Sequence, residues 1–107
     1  MKVVYTLKVR QDLRDIYEYI AYALLSPETA QKIVERLMQG ARTLESMPER
    51  NPLYKEEPWR SRGVRFLPVR NYLIFYTINV AEYTVSVARI MYGGRDISRQ
   101  LFETVEW

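Results

Sequence analysis

The run Tyr72-Leu73-Ile74-Phe75-Tyr76-Thr77-Ile78 narrows the choice of fold more than any other stretch of the chain. It is rich in β-branched and aromatic residues and apolar at odd and even positions alike. A strand with one wet face would alternate, so this one has to be covered on both faces. Residues 79–82 make a tight connection to a further strand over 83–92, in which Tyr83, Val85 and Val87 alternate against Thr84, Ser86 and Ala88. The two segments predict an antiparallel hairpin. Ahead of them, "GVRFLPV" (63–69) reads as a third strand, and Pro68, which has no N–H to donate, limits it or places it at an edge.

The N-terminal half has a different period. "VVYTL" (3–7) reads as a short strand. Leu13, Ile16, Tyr17, Ile20 and Leu24 then recur at three- and four-residue intervals and mark one stripe of a helix, with Asp12, Arg14, Asp15 and Glu18 mostly off it. Ser26-Pro27-Glu28 is a helix start: a capping hydroxyl, a proline at the first helical position and a carboxylate at the positive end of the dipole. Ala30, Ile33, Val34, Leu37, Ala41 and Leu44 follow as a second amphipathic helix that ends before Pro48. So short a link predicts an antiparallel helical hairpin. Residues 48–60 hold three prolines among charges and predict an extended connector. After Gly93-Gly94 breaks the last strand, Asp96 can cap a short helix or tail from residue 97.

This order of elements predicts one α+β domain over residues 1–107: a helical hairpin on one face of a mainly antiparallel sheet of about four strands. The other face is expected to be partly open, or covered by the terminal segment or by a partner.

Composition excludes several chemistries. The chain has no cysteine and no histidine, so it offers no disulfide, no thiolate and no imidazole as base or metal ligand. No metal and no cofactor are expected. The N-terminal apolar run is too short for a signal peptide and no stretch is long enough to span a bilayer, which predicts a cytoplasmic protein without membrane contact. The net charge of +3 is unevenly placed: residues 1–49 carry seven basic and seven acidic side chains, residues 50–99 nine and four. That excess favours an anionic partner.

Arg60, Arg62, Arg65 and Arg70 crowd the approach to the apolar strands, and Arg89 and Arg95 flank the last one. Arg62, Arg65, Arg70, Arg89 and Arg95 are expected to form a positive rim on the open side of the sheet, where a macromolecular target docks. An arginine beside a strand is also an ordinary solvated charge. Arg65 and Arg89 lie within strands, so their guanidiniums must either reach a surface or be paired. Reversing both to glutamate is expected to abolish function and spare the fold. If the chain cuts RNA, Arg62, Arg65, Arg89 and Arg95 could clamp phosphate, and Glu56, Glu57, Lys55 or Tyr92 would have to serve as base. Arg89 and Tyr92 have opposite parity, so one site can use both only at a bulge or at the strand's end.

The words "DLRDIYEYIA", the Leu44-to-Pro48 helix exit, "LPVRNYLIFYTI" and "VARIMYGGRDI", in that order, resemble the RelE/ParE superfamily of toxins from bacterial type II toxin–antitoxin modules. The resemblance spans nearly the whole chain. It implies a growth-inhibiting toxin held inactive by a cognate antitoxin, with an oligomer formed together with that antitoxin as one option. Two activities occur in the superfamily: ribosome-dependent cleavage of messenger RNA and poisoning of DNA gyrase. Where RelE-like ribonucleases tend to carry arginine before the central strand this chain has Leu73, and it lacks the histidine that some of them use. Arg95 matches a basic position at RelE-like ends, and Tyr92 lies near a tyrosine used there. The wording is closer to ParE-like and plasmid-stabilisation sequences, so DNA gyrase is the favoured target and the ribosome with mRNA the alternative. Whether the chain is an enzyme stays open between these two. A nontoxic RNA-binding module is a third reading, weakened by the absence of an RNP-type sequence.

Overall fold

The segment 72–78 does lie at the centre of the molecule. In the computed structural model, which describes residues 1–94 and 96–107, the chain forms β1 (Lys2–Tyr5), α1 (Leu7–Glu18), α2 (Pro27–Arg42), β2 (Arg65–Val69), β3 (Tyr72–Asn79), β4 (Thr84–Tyr92) and α3 (Ile97–Phe102). The four strands make one sheet in the order β1-β4-β3-β2. The β2–β3 and β3–β4 pairs are antiparallel, and β1 runs parallel to β4. This is the α+β architecture expected from the sequence, with one parallel pair.

β3 explains its own composition. Ile74 and Tyr76 enter a core with Val9, Leu37, Ala41, Leu44, Val85, Val87 and Ile90 under the helical hairpin. Phe75 points the other way, into a second core with Trp59, Val64, Met91 and Leu101. That second core closes the far face of the sheet. The connector turns back on itself: Leu53 bridges to Arg65, and the Val64 N–H donates to the Trp59 carbonyl at 3.0 Å, which seats the indole against Phe75 and Leu101. α3, started by Asp96 accepting from the Arg99 N–H at 3.3 Å, supplies the rest of the cover. The far face is thus covered by the terminal segment together with the connector, which is folded where an extended chain was expected.

Three further boundaries differ from the sequence reading. β1 stops at Tyr5, because Thr6 caps α1, its Oγ1 accepting from the Val9 N–H at 3.1 Å. The α-helical turns of the first helix end at Glu18 and a wider π turn covers Tyr19–Ala23, which leaves Leu24 exposed and off the stripe. Ser26 does not cap the second helix by a backbone bond; its hydroxyl donates to Thr29 Oγ1 at 2.7 Å. Pro27 sits at the first position of α2 and Pro68 on the edge strand β2, as their chemistry requires.

One close approach sets where α2 lies. A Cβ on Gly40 would come within 2.7 Å of Val69 Cγ2, so the glycine lets the helix settle onto the end of β2. The chain then turns at Arg70, which has a φ of 56°.

Candidate functional site

The site is built around the open half of β4. β1 runs alongside β4 only as far as the Tyr5–Val87 pair. Beyond it, α1 takes over the edge. The Thr6 N–H donates to the Val87 carbonyl at 3.2 Å, and its hydroxyl to the Ala88 carbonyl at 3.2 Å. Asp12 Oδ2 then accepts from the Ile90 N–H at 3.0 Å, so a side chain finishes the ladder that a strand began. The β3–β4 register slips here, Phe75 pairing with Arg89 and Tyr76 with Val87, which leaves Ala88 as the extra residue of a bulge.

The bulge aims Arg89 at the meeting point of α1 and the C-terminal segment. Its Nε donates to Asp12 Oδ2 at 2.8 Å and a terminal nitrogen to Asp12 Oδ1 at 3.3 Å. The other terminal nitrogen donates to the Gln100 carbonyl and to Thr104 Oγ1, both at 3.1 Å. Arg89 and Asp12 are each only 6% exposed. This pair meets the requirement that a guanidinium inside a strand be neutralised, and it is an internal tie joining α1, β4 and α3. Arg89 is therefore engaged by a carboxylate rather than displayed on a rim. Exchanging it for glutamate would set two buried carboxylates against each other, so the Arg65/Arg89 reversal expected to spare the fold would not do so.

Next to this tie is a cleft of about 240 Å³, lined by Lys8, Asp15, Tyr19, Tyr72 and Tyr92 along with the ion pair. The Tyr72 and Tyr92 rings meet edge to face, with centroids 5.8 Å apart. Tyr92 is 47% exposed. Arg89 and Tyr92 do reach one cleft despite their opposite parity, because β4 ends there.

The remaining candidates lie elsewhere. Arg65 is half-buried, and one of its terminal nitrogens donates to the carbonyls of Glu49 at 3.0 Å and Asn51 at 2.6 Å, pinning the connector. Arg62 is exposed in the turn that precedes β2. Arg70 is exposed at the opposite end of β2, five residues or roughly 16 Å along the strand from Arg65. Arg95 lies outside the described residues. The rim expected from the sequence is thus divided: Arg62 and Arg70 face solvent at opposite ends of β2, and Arg65 and Arg89 serve the fold.

The carboxylates offered as bases are occupied as well. Glu56 accepts from the Tyr54 hydroxyl at 3.0 Å and from the Ser98 hydroxyl at 2.8 Å. Glu57 accepts from the Ser61 hydroxyl and N–H, both at 2.9 Å, and these bonds lower its pKa below the ordinary glutamate value. A carboxylate so held is a turn anchor and a poor proton acceptor near neutral pH. Among the described residues no cluster of acidic side chains could hold a metal ion, and no helix is long and apolar enough to cross a membrane.

Sequence reasoning missed Asp12. Val9, Asp12, Ile16 and Ile20 fall at helical spacing on the buried side, and a carboxylate in the middle of such a stripe was the available signal.

A four-stranded sheet with a helical hairpin on one face recurs in solved chains of toxin–antitoxin systems. The chain superposes on a solved structure of the chromosomal ParDE toxin–antitoxin system from P. aeruginosa with a TM-score of 0.71 and 23% identity, covering 86% of this chain and 95% of the other. Against the toxin–antitoxin complex RelBE2 from Mycobacterium tuberculosis the TM-score is 0.57 at 20% identity, covering 85% and 88%. No curated protein matches the sequence. The family model described as "ParE toxin of type II toxin-antitoxin system, parDE" matches residues 3–97. The chain belongs to the ParE toxin family of type II toxin–antitoxin systems.

Proposed function

We propose that the protein acts as the toxin of a type II toxin–antitoxin module and arrests growth by poisoning DNA gyrase, under the control of a cognate antitoxin. Membership of the ParE family supports the first part. The observation that favours gyrase over message cleavage is the state of Arg89. Ribonuclease chemistry needs a guanidinium free to take charge from a phosphate, and this one is bound by Asp12 inside the protein. Glu56 and Glu57, the carboxylates considered as bases, are committed elsewhere and do not line the cleft beside Tyr92. An inhibitor that works by docking needs neither. Of the arginines expected to meet the target, Arg62 and Arg70 are exposed and Arg95 is retained as a candidate, and Tyr92 is an exposed aromatic at the end of β4.

The test is induction in cells and assay with purified gyrase. The expected result is blocked supercoiling with accumulation of cleaved DNA and no new RNA 5′ ends. Exchange of Arg62 or Tyr92 should weaken the effect. New RNA ends in translated messages with supercoiling intact would overturn the gyrase reading in favour of a ribosome-dependent endoribonuclease.

A further inference from the structure

The settling of α2 onto β2 at Gly40 brings Arg70 up to two cations of α2. Lys32 and Arg36 stand one helical turn apart on the exposed side of α2, and the β2–β3 turn brings Arg70 up to them. With Gln39 and Ile33 they line a cleft of about 260 Å³. Lys32, Arg36 and Arg70 make no ion pair among the described residues. Glu35, on the same cleft, accepts from Gln31 at 3.2 Å. Three cations against the one carboxylate of Glu35 leave the cleft with a net charge of +2, which attracts anions, and the cleft is separate from the one at β4.

We infer that this cleft binds the phosphodiester backbone of duplex DNA, without regard to sequence. Three features select this occupant. The lining is polar apart from the half-buried Ile33, so affinity has to come from charge; an acidic peptide, which needs apolar contacts to add to its charges, gains little here. A DNA duplex carries one negative charge per roughly 1.7 Å of axis, denser than an extended acidic peptide supplies at about 3.3–3.6 Å per residue. No aromatic ring lines the cleft, so nothing there would stack on unpaired bases. Lys32 and Arg36, with Cβ atoms about 5–6 Å apart by helix geometry, suit neighbouring phosphates on one strand. The inference does not require gyrase: the contact is with DNA itself.

The experiment uses the purified full chain, without gyrase, and fluorescence anisotropy on a labelled 20-base-pair duplex between 50 and 200 mM salt. Three phosphate contacts contribute a slope of about −2.7 in log K against log salt, which weakens binding about 40-fold over that range. The Lys32→Gln/Arg36→Gln/Arg70→Gln variant should reduce the slope by that amount. A charge-matched variant, Arg10→Gln/Arg14→Gln/Arg50→Gln, on exposed residues away from the cleft, should keep it. Circular dichroism confirms that both variants are folded. Equal loss in the two variants, no binding at 50 mM salt, or preference for polyglutamate over the duplex would each overturn the inference. Loss of DNA binding in a Lys32→Gln/Arg36→Gln variant, which keeps Arg70, with gyrase poisoning intact would leave the inference standing and separate it from the toxin's action on the enzyme.

Discussion

Replacing Asp12 by alanine removes the acceptor of three close hydrogen bonds at once: from Arg89 Nε at 2.8 Å, from a terminal nitrogen of Arg89 at 3.3 Å and from the Ile90 N–H at 3.0 Å. The Gln100 carbonyl and Thr104 hydroxyl stay in place as acceptors for Arg89, but neither carries a counter-charge. Leaving one member of a buried ion pair without its partner costs about 3–5 kcal/mol. A domain of this kind has about 5–15 kcal/mol in total. With an unfolding entropy of roughly 2.1 cal/mol/K per residue, the loss lowers the melting temperature by about 13–22 °C. Urea titration and thermal melts followed by circular dichroism measure it. Asp12→Asn, which keeps an oxygen for Ile90 but not the charge, should fall between wild type and alanine. The double variant Asp12→Leu/Arg89→Met should be more stable than either single charge deletion, because no uncompensated charge remains. A loss below about 1 kcal/mol for Asp12→Ala, or strict additivity in the double variant, would refute the account of this pair as the tie between α1, β4 and α3.

Gly40→Ala sets a methyl 2.7 Å from Val69 Cγ2; overpacking of about 1–3 kcal/mol outweighs a helix-propensity gain of about 1 kcal/mol, so a lower urea midpoint is expected and a clear rise would disprove the close approach. Tyr76 donates its hydroxyl to the Pro48 carbonyl, and burial raises its pKa above the usual 10.0. The folded state then holds this proton more tightly than the unfolded one, so its contribution is intact below pH 10 and is lost as pH rises through the raised value. The Tyr76 share of the phenolate absorbance, read as the difference between wild type and Tyr76→Phe, should appear together with loss of circular dichroism, and Tyr76→Phe should shrink the alkaline slope; ionisation of Tyr76 at pH 10 in a still-folded protein would contradict this.

What could be read in the sequence follows the range of the forces involved. Helix period and strand composition are local, so the helical hairpin, the β3–β4 hairpin and the doubly covered β3 were all legible. Proline chemistry placed Pro27 and Pro68, and the capping propensity of aspartate placed Asp96. The parallel β1–β4 pair was not legible, because nothing in residues 2–5 specifies a partner 82 positions away. The folded connector was hidden as well: its prolines and charges look like an open chain, and only Trp59 meeting Phe75 and Leu101 gives it a core. For the site, the need of a strand arginine for a partner was visible at Arg89, but the partner's identity depended on α1 crossing the open edge of β4. The cations Lys32, Arg36 and Arg70 sit in two differently charged halves of the chain, and no local count could have joined them.

β1 has consequences for how the protein comes into being. Among the described residues its strand partner is β4, the bonds of Thr6 and Asp12 reach Ala88 and Ile90, and the Leu7 N–H donates to the Glu106 carboxylate, 99 positions away. Contacts so distant along the chain demand closure of a very large loop, which slows folding relative to a protein of this size built from neighbouring pairs. During synthesis the first strand must therefore wait for the last one. A nascent chain that stops short of β4 holds the helical hairpin but leaves β1 without its partner, and the sheet closes only once residues 84–87 are available.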